Sequence, residues 1–394
     1  MNQRSKRVLF VATVVKTHIM TFHLPALKLF QEMGWETAVA AKNDYEDPGE
    51  CQIPHCDVFY DIPFERNPFC PGNVQCYHRL KQVIDEGGFD LVHCHTPVGG
   101  VLGRLAARGT RKNGTRVLYT AHGFHFFRGA SLQNWLFYYP VEKVCARLAD
   151  GVLTINEEDY RLAKKKFKAG QIIKLPGVGV NTDRLFQMQD KRQALCRECG
   201  IGAEDKILLS VGELSKRKNQ KVIIKALTWP GMERVHYVIA GEGPLRQELE
   251  NYAEELHVRD RLHLLGFRRD IAELLKSSDV FAFPSLQEGL PVAVMEAMAA
   301  GVPIVASCIR GTVDLIEEEK GGILCRADDT PAFAQGIVRL MGDPELAAHF
   351  VQYNRIKIRD YDEQVVVQRL REVYAQYEAS DFNPVQSGSA GSAG

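Results

Sequence analysis

The chain has 394 residues, with 49 basic and 49 acidic side chains and therefore no formal net charge when histidine is neutral. That balance argues against wholesale nucleic-acid binding, and a composition of 45% hydrophobic and 25% charged residues is that of a globular protein rather than a disordered one. The length suffices for two domains, each with its own core. Arg4-Ser5-Lys6-Arg7 followed by the apolar run Val8–Val15 has the outline of a signal peptide. The run is short, lacks a convincing cleavage site and leads into Lys16-Thr17-His18, so a first buried strand explains it better. No run reaches the eighteen or so apolar residues of a membrane span, and the expectation is a cytoplasmic protein. Further strand-like runs are Glu36–Ala41, Leu91–His95, Val117–Thr120 and Val152–Ile155, with helical segments such as Phe22–Met33 and Gly99–Arg108 between them. This alternation predicts an α/β, doubly wound sheet with ligands beyond the carboxyl ends of its strands.

Asp44–Pro71 is rich in Pro, Asp and Asn and reads as loop with at most short structure. Two basic patches, Arg108–Lys112 with Arg116 and Lys164–Lys166 with Lys168, have a solvated face as their plain account and attraction to anionic lipid or a diphosphate-bearing acceptor as the sharper one. Ten cysteines are scattered without a framework: Cys196 and Cys199 form a CxxC with no partner pair at zinc-ribbon spacing, and Cys51, Cys56, Cys70, Cys76 and His78 make a loose cluster. His93-Cys94-His95 could be metal ligands, although it lies at a strand end, where alternation sends neighbouring side chains to opposite faces. These thiols read as reduced and buried or incidental, and no metal site is expected.

The pattern restarts after the Pro/Gly segment Leu175–Val180, which suits a linker. Strand signals follow at Ile207–Val211, His236–Ala240, Leu262–Leu265, Val280–Phe283, Ile304–Ala306 and Ile323–Cys325. The divisions expected are a first domain over 1–177 and a second over 178–359. A helix at about 360–380 is expected to pack back on the first domain, and 381–394 reads as a flexible tail or tag remnant. Two similar α/β domains joined by a linker predict a ligand cleft.

The chemistry centres on the stretch from Phe283 to Gly301. A buried strand ends at Pro284, Gly289 permits a tight turn, Pro291 suits a first helical turn, Val292–Ala300 favours helix and Gly301 stops it. Strand, turn and helix in this order leave backbone N–H groups and the positive end of the dipole facing outward, a site for an anion such as phosphate. Glu288 and Glu296 bracket the turn. Eight helical steps would part them by about 12 Å, beyond the roughly 5 to 9.5 Å of glycosidase pairs, so they read as serving different parts of one ligand. The plain alternative is one glutamate favoured by the dipole and one on a solvated helix face. Gly212-Glu213-Leu214-Ser215-Lys216-Arg217-Lys218-Asn219 follows a strand, with a glycine for close approach and three cations fit to neutralise a diphosphate. Gly241-Glu242-Gly243-Pro244 follows another strand and is equally readable as a tight turn. His122, within Thr120-Ala121-His122-Gly123, and His18 after the first strand are the candidate site histidines, against the plain reading of structural imidazoles.

With seven residues between Glu288 and Glu296 in FPSLQEGLPVAVMEAMAAGVPIVAS, the chain resembles the family 4 retaining glycosyltransferases and their EX7E signature. VGELSKRKN, AGEGP, LLGFRRDIAELLKSSDVFAFPS and YTAHG fall in family order, so the resemblance covers most of residues 7–375. It implies a GT-B fold, two Rossmann-like domains facing a cleft, with the nucleotide-sugar donor held mainly by the second. By the resemblance Glu288 contacts the donor sugar near its reacting centre, Glu296 binds ribose hydroxyls, Lys218 binds the diphosphate and His122 contacts the sugar. Backbone near Gly289 and Leu290 meets sugar and phosphates. Gly212, Gly241, Gly243 and His18 complete the donor site, with Lys216 or Arg217 standing in where many members have arginine at the position of Glu213. Many members also carry Gly-Gly where this chain has Val15-Lys16-Thr17-His18. A subgroup of bacterial exopolysaccharide and capsule enzymes is similar at these positions.

The expected reaction is transfer from a UDP-sugar to a glycan or polyprenyl-diphosphate-linked acceptor, with no cofactor, no metal and no nucleic-acid partner. The aromatic segments Gly123–Arg128 and Trp135–Tyr139 read as core or cleft lining, or, with the basic patches, as peripheral contact with the inner face of the plasma membrane. A UDP-sugar 2-epimerase-like isomerase and a catalytically silent nucleotide-sugar binder stay open as alternatives.

Overall fold

A computed structural model describes residues 4–378, so the Gly/Ser-rich end of the chain lies outside the described residues. The chain divides into two compact units, one made of the residues up to Val178 together with those from Val366 onward, the other of Gly179–Val365.

The first unit holds seven strands: β1 (Arg7–Val14), β2 (Glu36–Lys42), β3 (Val58–Asp61), β4 (Leu91–Cys94), β5 (Arg116–Ala121), β6 (Gly151–Thr154) and β7 (Gln171–Lys174). All pair in parallel in the order β3-β2-β1-β4-β5-β6-β7, so the winding reverses between β1 and β4. The unbroken apolar run of β1 reflects burial on both faces. Leu9 and Val11 join a core with Leu80 and Tyr119, while Val8, Phe10 and Ala12 join another with Leu27, Phe30 and Tyr374. Two strands escaped the sequence reading. β3, four residues long, sits inside the stretch expected to be loop with at most short structure, and β7 immediately precedes the linker; both are edge strands with partly exposed side chains.

The helix Glu363–Glu378 belongs to this unit from Val366 onward. Tyr374 and Val373 are 1% exposed, and the Tyr374 ring centroid lies 4.4 Å from that of Phe30. Gly151 on β6 leaves room for the same helix, since a Cβ there would meet the Tyr377 hydroxyl at 2.5 Å.

The second unit holds β8 (Lys206–Val211), β9 (Val235–Ala240), β10 (Leu262–Gly266), β11 (Val280–Phe283), β12 (Ile304–Ser307) and β13 (Ile323–Cys325). These pair in parallel in the order β10-β9-β8-β11-β12-β13, reversing between β8 and β11. Its core gathers Leu208, Ile239, Ala282 and Val305 from the strands with Ile223, Leu249, Phe333 and Phe350 from the helices.

One buried ion pair is cut into the first core. Arg104 is fully enclosed and donates to Glu142 at 2.8 Å, its guanidinium lies 3.8 Å from the Tyr119 ring centroid, and the Tyr119 hydroxyl donates to Glu142 at 3.1 Å. Removing one partner strands a desolvated charge, whereas removing both replaces the pair by apolar packing. Arg104→Met should therefore cost about 3–5 kcal/mol in urea unfolding, and adding Glu142→Leu should restore a large part of the loss. Equal destabilisation in single and double variants would show that packing, not charge, sets the cost.

Candidate active site

In the second unit the chemistry collects at the carboxyl ends of β8 and β11, where the strand order reverses and ligands of such sheets bind. One oxygen of Glu288, in the loop after β11, accepts from Lys218 Nζ and from Arg217 in the loop after β8, each at 2.8 Å. Arg217 also donates to the Gln287 carbonyl at 3.3 Å, and its own carbonyl accepts from Leu286 N–H at 2.8 Å. Asn219, in the left-handed region at φ 55°, donates to the carbonyls of Pro284 at 3.1 Å and Ala327 at 2.7 Å. Lys218 and Glu288 have side chains only 14% and 11% exposed, against 45% for Arg217. The lysine pair is thus largely out of water, and the cluster carries one positive charge in excess.

The glycines brace these loops. Leu214 N–H donates to the Glu242 carbonyl at 2.9 Å, and Gly212 N–H to the Ala240 carbonyl at 3.0 Å. A Cβ at Gly241 would stand 2.0 Å from the Gly212 carbonyl oxygen, and one at Gly243 would stand 2.4 Å from that of Leu214. Gly241 and Gly243 therefore let one backbone lie on another. Lys216 is exposed. Glu213 is also exposed, and its carbonyl accepts from Gln220 at 2.8 Å. Of the two cations expected to stand in for the arginine replaced by Glu213, Arg217 is the one brought beside Glu288.

Arg310 escaped the sequence reading. It is buried after β12 and donates from Nε to the Glu288 carbonyl at 3.0 Å. A Cβ at Gly311 would stand 2.2 Å from the Gly289 carbonyl, so glycine lets this loop close on the Glu288–Leu290 turn. The signal was present, because Ser307-Cys308-Ile309-Arg310-Gly311-Thr312 repeats the strand, cation and glycine pattern of the other site loops.

The helix Val292–Ala300 starts after Pro291 without a side-chain cap and ends at Gly301, left-handed at φ 76°. Glu288 therefore precedes the helix, and the separation estimated from eight helical steps does not describe the pair. Leu290 is buried at the approach to the first turn. Glu296, half-buried on the helix, has its carboxyl raised to about 7 by desolvation, with the charge of Arg184 a partial offset.

The first unit holds His18 and His122. His18 lies in a π-helical turn, Val15–Ile19, that leaves β1 directly and takes the place of a glycine loop. His122 follows β5, and burial lowers its imidazole to about 4. Their ring centroids are 5.0 Å apart, and both rings line a cavity of about 260 Å³ together with Thr96, Tyr119, His125 and Tyr138. An apolar cavity of about 280 Å³ is lined by Phe69, Val98, Val101, Leu102, Phe137 and Val141.

The aromatic segments divide. Phe124 and Phe126 are buried, and Trp135, Tyr138 and Tyr139 pack on the core. The helix Leu132–Cys145 nevertheless exposes Leu132 (80%), Leu136 (71%), Phe137 (56%), Val141 (44%) and Val144 (58%). Arg111 of the first basic patch is committed to Asp150 at 2.9 Å. Among the described residues no helix is long and apolar enough to cross a membrane.

Two family models match: Glycosyltransferase Family 4 over residues 6–184 and Glycosyl transferases group 1 over residues 192–357. The chain is 42% identical to the putative glycosyltransferase EpsD of Bacillus subtilis, over 95% of its own length and 97% of that protein. It is 31% identical to the UDP-Gal:alpha-D-GlcNAc-diphosphoundecaprenol alpha-1,3-galactosyltransferase of Escherichia coli, over 68% and 70% of the two chains. Its fold superposes on that of HepE from Anabaena, solved with UDP and glucose, with a TM-score of 0.77 at 20% identity, covering 94% and 99% of the two chains. These likenesses favour a transferase over the isomerase and silent-binder alternatives. The chain belongs to glycosyltransferase family 4 and is a glycosyltransferase of the GT-B fold.

Proposed function

We propose that the enzyme moves a sugar from a nucleoside diphosphate, UDP by preference, to a glycan or polyprenyl-diphosphate-linked acceptor in polysaccharide biosynthesis, with retention of anomeric configuration. The observation that carries the reading is the single Glu288 oxygen shared by Lys218 and Arg217 at the switch point of the second sheet. A diphosphate arriving there offers both cations new acceptors, which frees the carboxylate to meet the sugar. The bond from the anomeric carbon to the leaving phosphate oxygen then breaks as the bond to the acceptor oxygen forms on the same face. The acceptor's proton passes to the departing phosphate. Lys218, Arg217 and the uncapped start of the helix Val292–Ala300 stabilise the charge that grows on the diphosphate, and no metal is needed at that step. Glu296 accepts hydrogen bonds from ribose hydroxyls, and the cavity beside His122 and His18 receives sugar or acceptor. The names of the Escherichia coli relative, with its UDP-Gal donor and diphosphoundecaprenol acceptor, and of HepE, solved with UDP and glucose, support donor and acceptor class.

A lipid-linked acceptor also accounts for apolar residues left facing water. The exposed face of Leu132–Cys145 continues into the apolar cavity through Phe137 and Val141, a surface suited to the lipid boundary.

Lys218→Ala should lower kcat by about 10²–10³-fold in an initial-rate assay with a UDP-sugar, because it removes a donor aimed at the leaving group. Glu288→Gln should fall by a similar factor, and native turnover by either variant would contradict the assignment. Glu296 titrates high in the folded chain, so its stabilising contribution is complete below about pH 4.5 and is lost as pH rises through about 7. In urea unfolding, Glu296→Gln should therefore gain on the wild type between those pH values, by on the order of 2 kcal/mol given its partial exposure. The same variant should bind UDP about tenfold more weakly at pH 8 by calorimetry, through loss of charged acceptors for hydroxyls. A pH-independent stability difference would dismiss the buried-carboxylate account. Co-sedimentation with anionic liposomes is expected for the wild type and should largely disappear in Leu132→Glu/Leu136→Glu, whose soluble activity persists; equal sedimentation of the two would discard the membrane face.

A further inference from the structure

Four histidines from three separate stretches of the chain meet at the carboxyl end of the first sheet. His18 lies in the turn after β1, His23 just before the helix Leu24–Glu32, His95 directly after β4 and His122 after β5. One ring nitrogen from each lies within 4.8 Å of those of the other three. Ring centroids range from 3.8 Å for His23 and His95 to 6.2 Å for His18 and His95. Four imidazoles around a tetrahedral ion, each with its nitrogen at about 2.0–2.1 Å, have centroids roughly 5 Å apart. Shifts on the order of 1 Å would thus complete such a shell.

Hydrogen bonding points the same way. Nε2 of His18, His23 and His122 and both ring nitrogens of His95 are closed off from solvent and have no hydrogen-bond partner. His23 and His95 are 5% and 2% exposed. Buried polar atoms left open in this way are costly, and a packed core does not ordinarily tolerate them. His93 is the internal contrast. Its ring centroid is 4.1 Å from that of His95 and it is as deeply buried, yet Nδ1 meets the Tyr374 hydroxyl at 3.0 Å and Nε2 the Thr120 hydroxyl at 2.8 Å. Burial at this spot therefore does not by itself leave an imidazole without partners.

The donor set selects the ligand. Imidazole nitrogens without carboxylate or thiolate suit zinc, copper or nickel, and do not suit magnesium or calcium, which take oxygen. A cavity of about 30 Å³, lined by His23, His95 and His122, adjoins the cluster and gives room for the small displacements required. The Thr120 and Tyr374 hydroxyls that hold His93 fix the wall behind His95.

We infer that His18, His23, His95 and His122 form a site for one divalent transition-metal ion of the zinc class. All four ligands belong to the first unit, and two of them, His18 and His122, also line the cavity proposed above to receive sugar or acceptor, so an ion held here would adjoin that cavity.

The test uses the full chain purified without a polyhistidine tag. Chelator-stripped protein should take up about one equivalent of Co²⁺ with the intense visible bands of tetrahedral coordination, and one equivalent of Zn²⁺ should abolish them. Zn²⁺ should also raise the melting temperature by several degrees where Mg²⁺ does not. His23→Ala and His95→Ala should lose the bands, while His93→Gln should keep them. A wild-type cobalt spectrum like that of the aqueous ion would overturn the proposal even if the variants misfold. So would His95→Ala binding as tightly as wild type, the mark of an adventitious surface ion. None of these readouts depends on turnover, so they succeed or fail apart from the transferase reading.

Discussion

The second unit is arranged around a single carboxylate oxygen that holds two cations. Glu288 draws Lys218 and Arg217 from the neighbouring strand's loop to 2.8 Å, and nearly everything around it keeps that junction in place. Asn219 ties the two loops through Pro284 and Ala327, Arg310 holds the Glu288 carbonyl, and Gly241, Gly243 and Gly311 let backbones approach where a side chain would collide. A carboxylate this enclosed would be costly alone, and two cations this close would repel. Each is stable because of the other, and the arrangement is ready to exchange one anion for another. That exchange links the fold to the proposed transfer: a diphosphate replaces the carboxylate as the cations' partner, and the carboxylate becomes available to the sugar.

Both sheets place their chemistry at the point where strand order reverses. In the first unit β1 and β4 diverge there and His18 and His95 follow them; in the second, β8 and β11 diverge and Lys218 and Glu288 follow. The crevice between crossovers that run opposite ways gives side chains from two strand ends a common space. The contents differ. One is charged, and the other is built of imidazoles and other rings.

Much of this was legible in the residues. Central strands announce themselves as continuous apolar runs because both faces are covered, and β1, β8 and β11 were readable for that reason. Edge strands β3 and β7 were not, since their half-exposed side chains break the run. The Glu288 turn was found because strand, glycine, proline and helix follow one another locally, as was its basic partner loop. Arg310 was missed although its loop has the same grammar. The histidine cluster lay beyond reach for a different reason. His95 and His122 become neighbours of His18 and His23 only through the order of strands in the sheet, while alternation along β4 shows only that His93 and His95 share a face opposite Cys94.

The central claim, that the Glu288, Lys218 and Arg217 cluster receives the donor's diphosphate, is tested most directly by comparing the affinities of UDP and uridine by calorimetry. Wild type should prefer UDP by on the order of 10²-fold, through charge-assisted contacts to the phosphates. In Lys218→Met/Arg217→Met that preference should shrink to a few-fold while uridine binding stays unchanged. An undiminished preference for UDP in the double variant would place the diphosphate elsewhere and contradict the account.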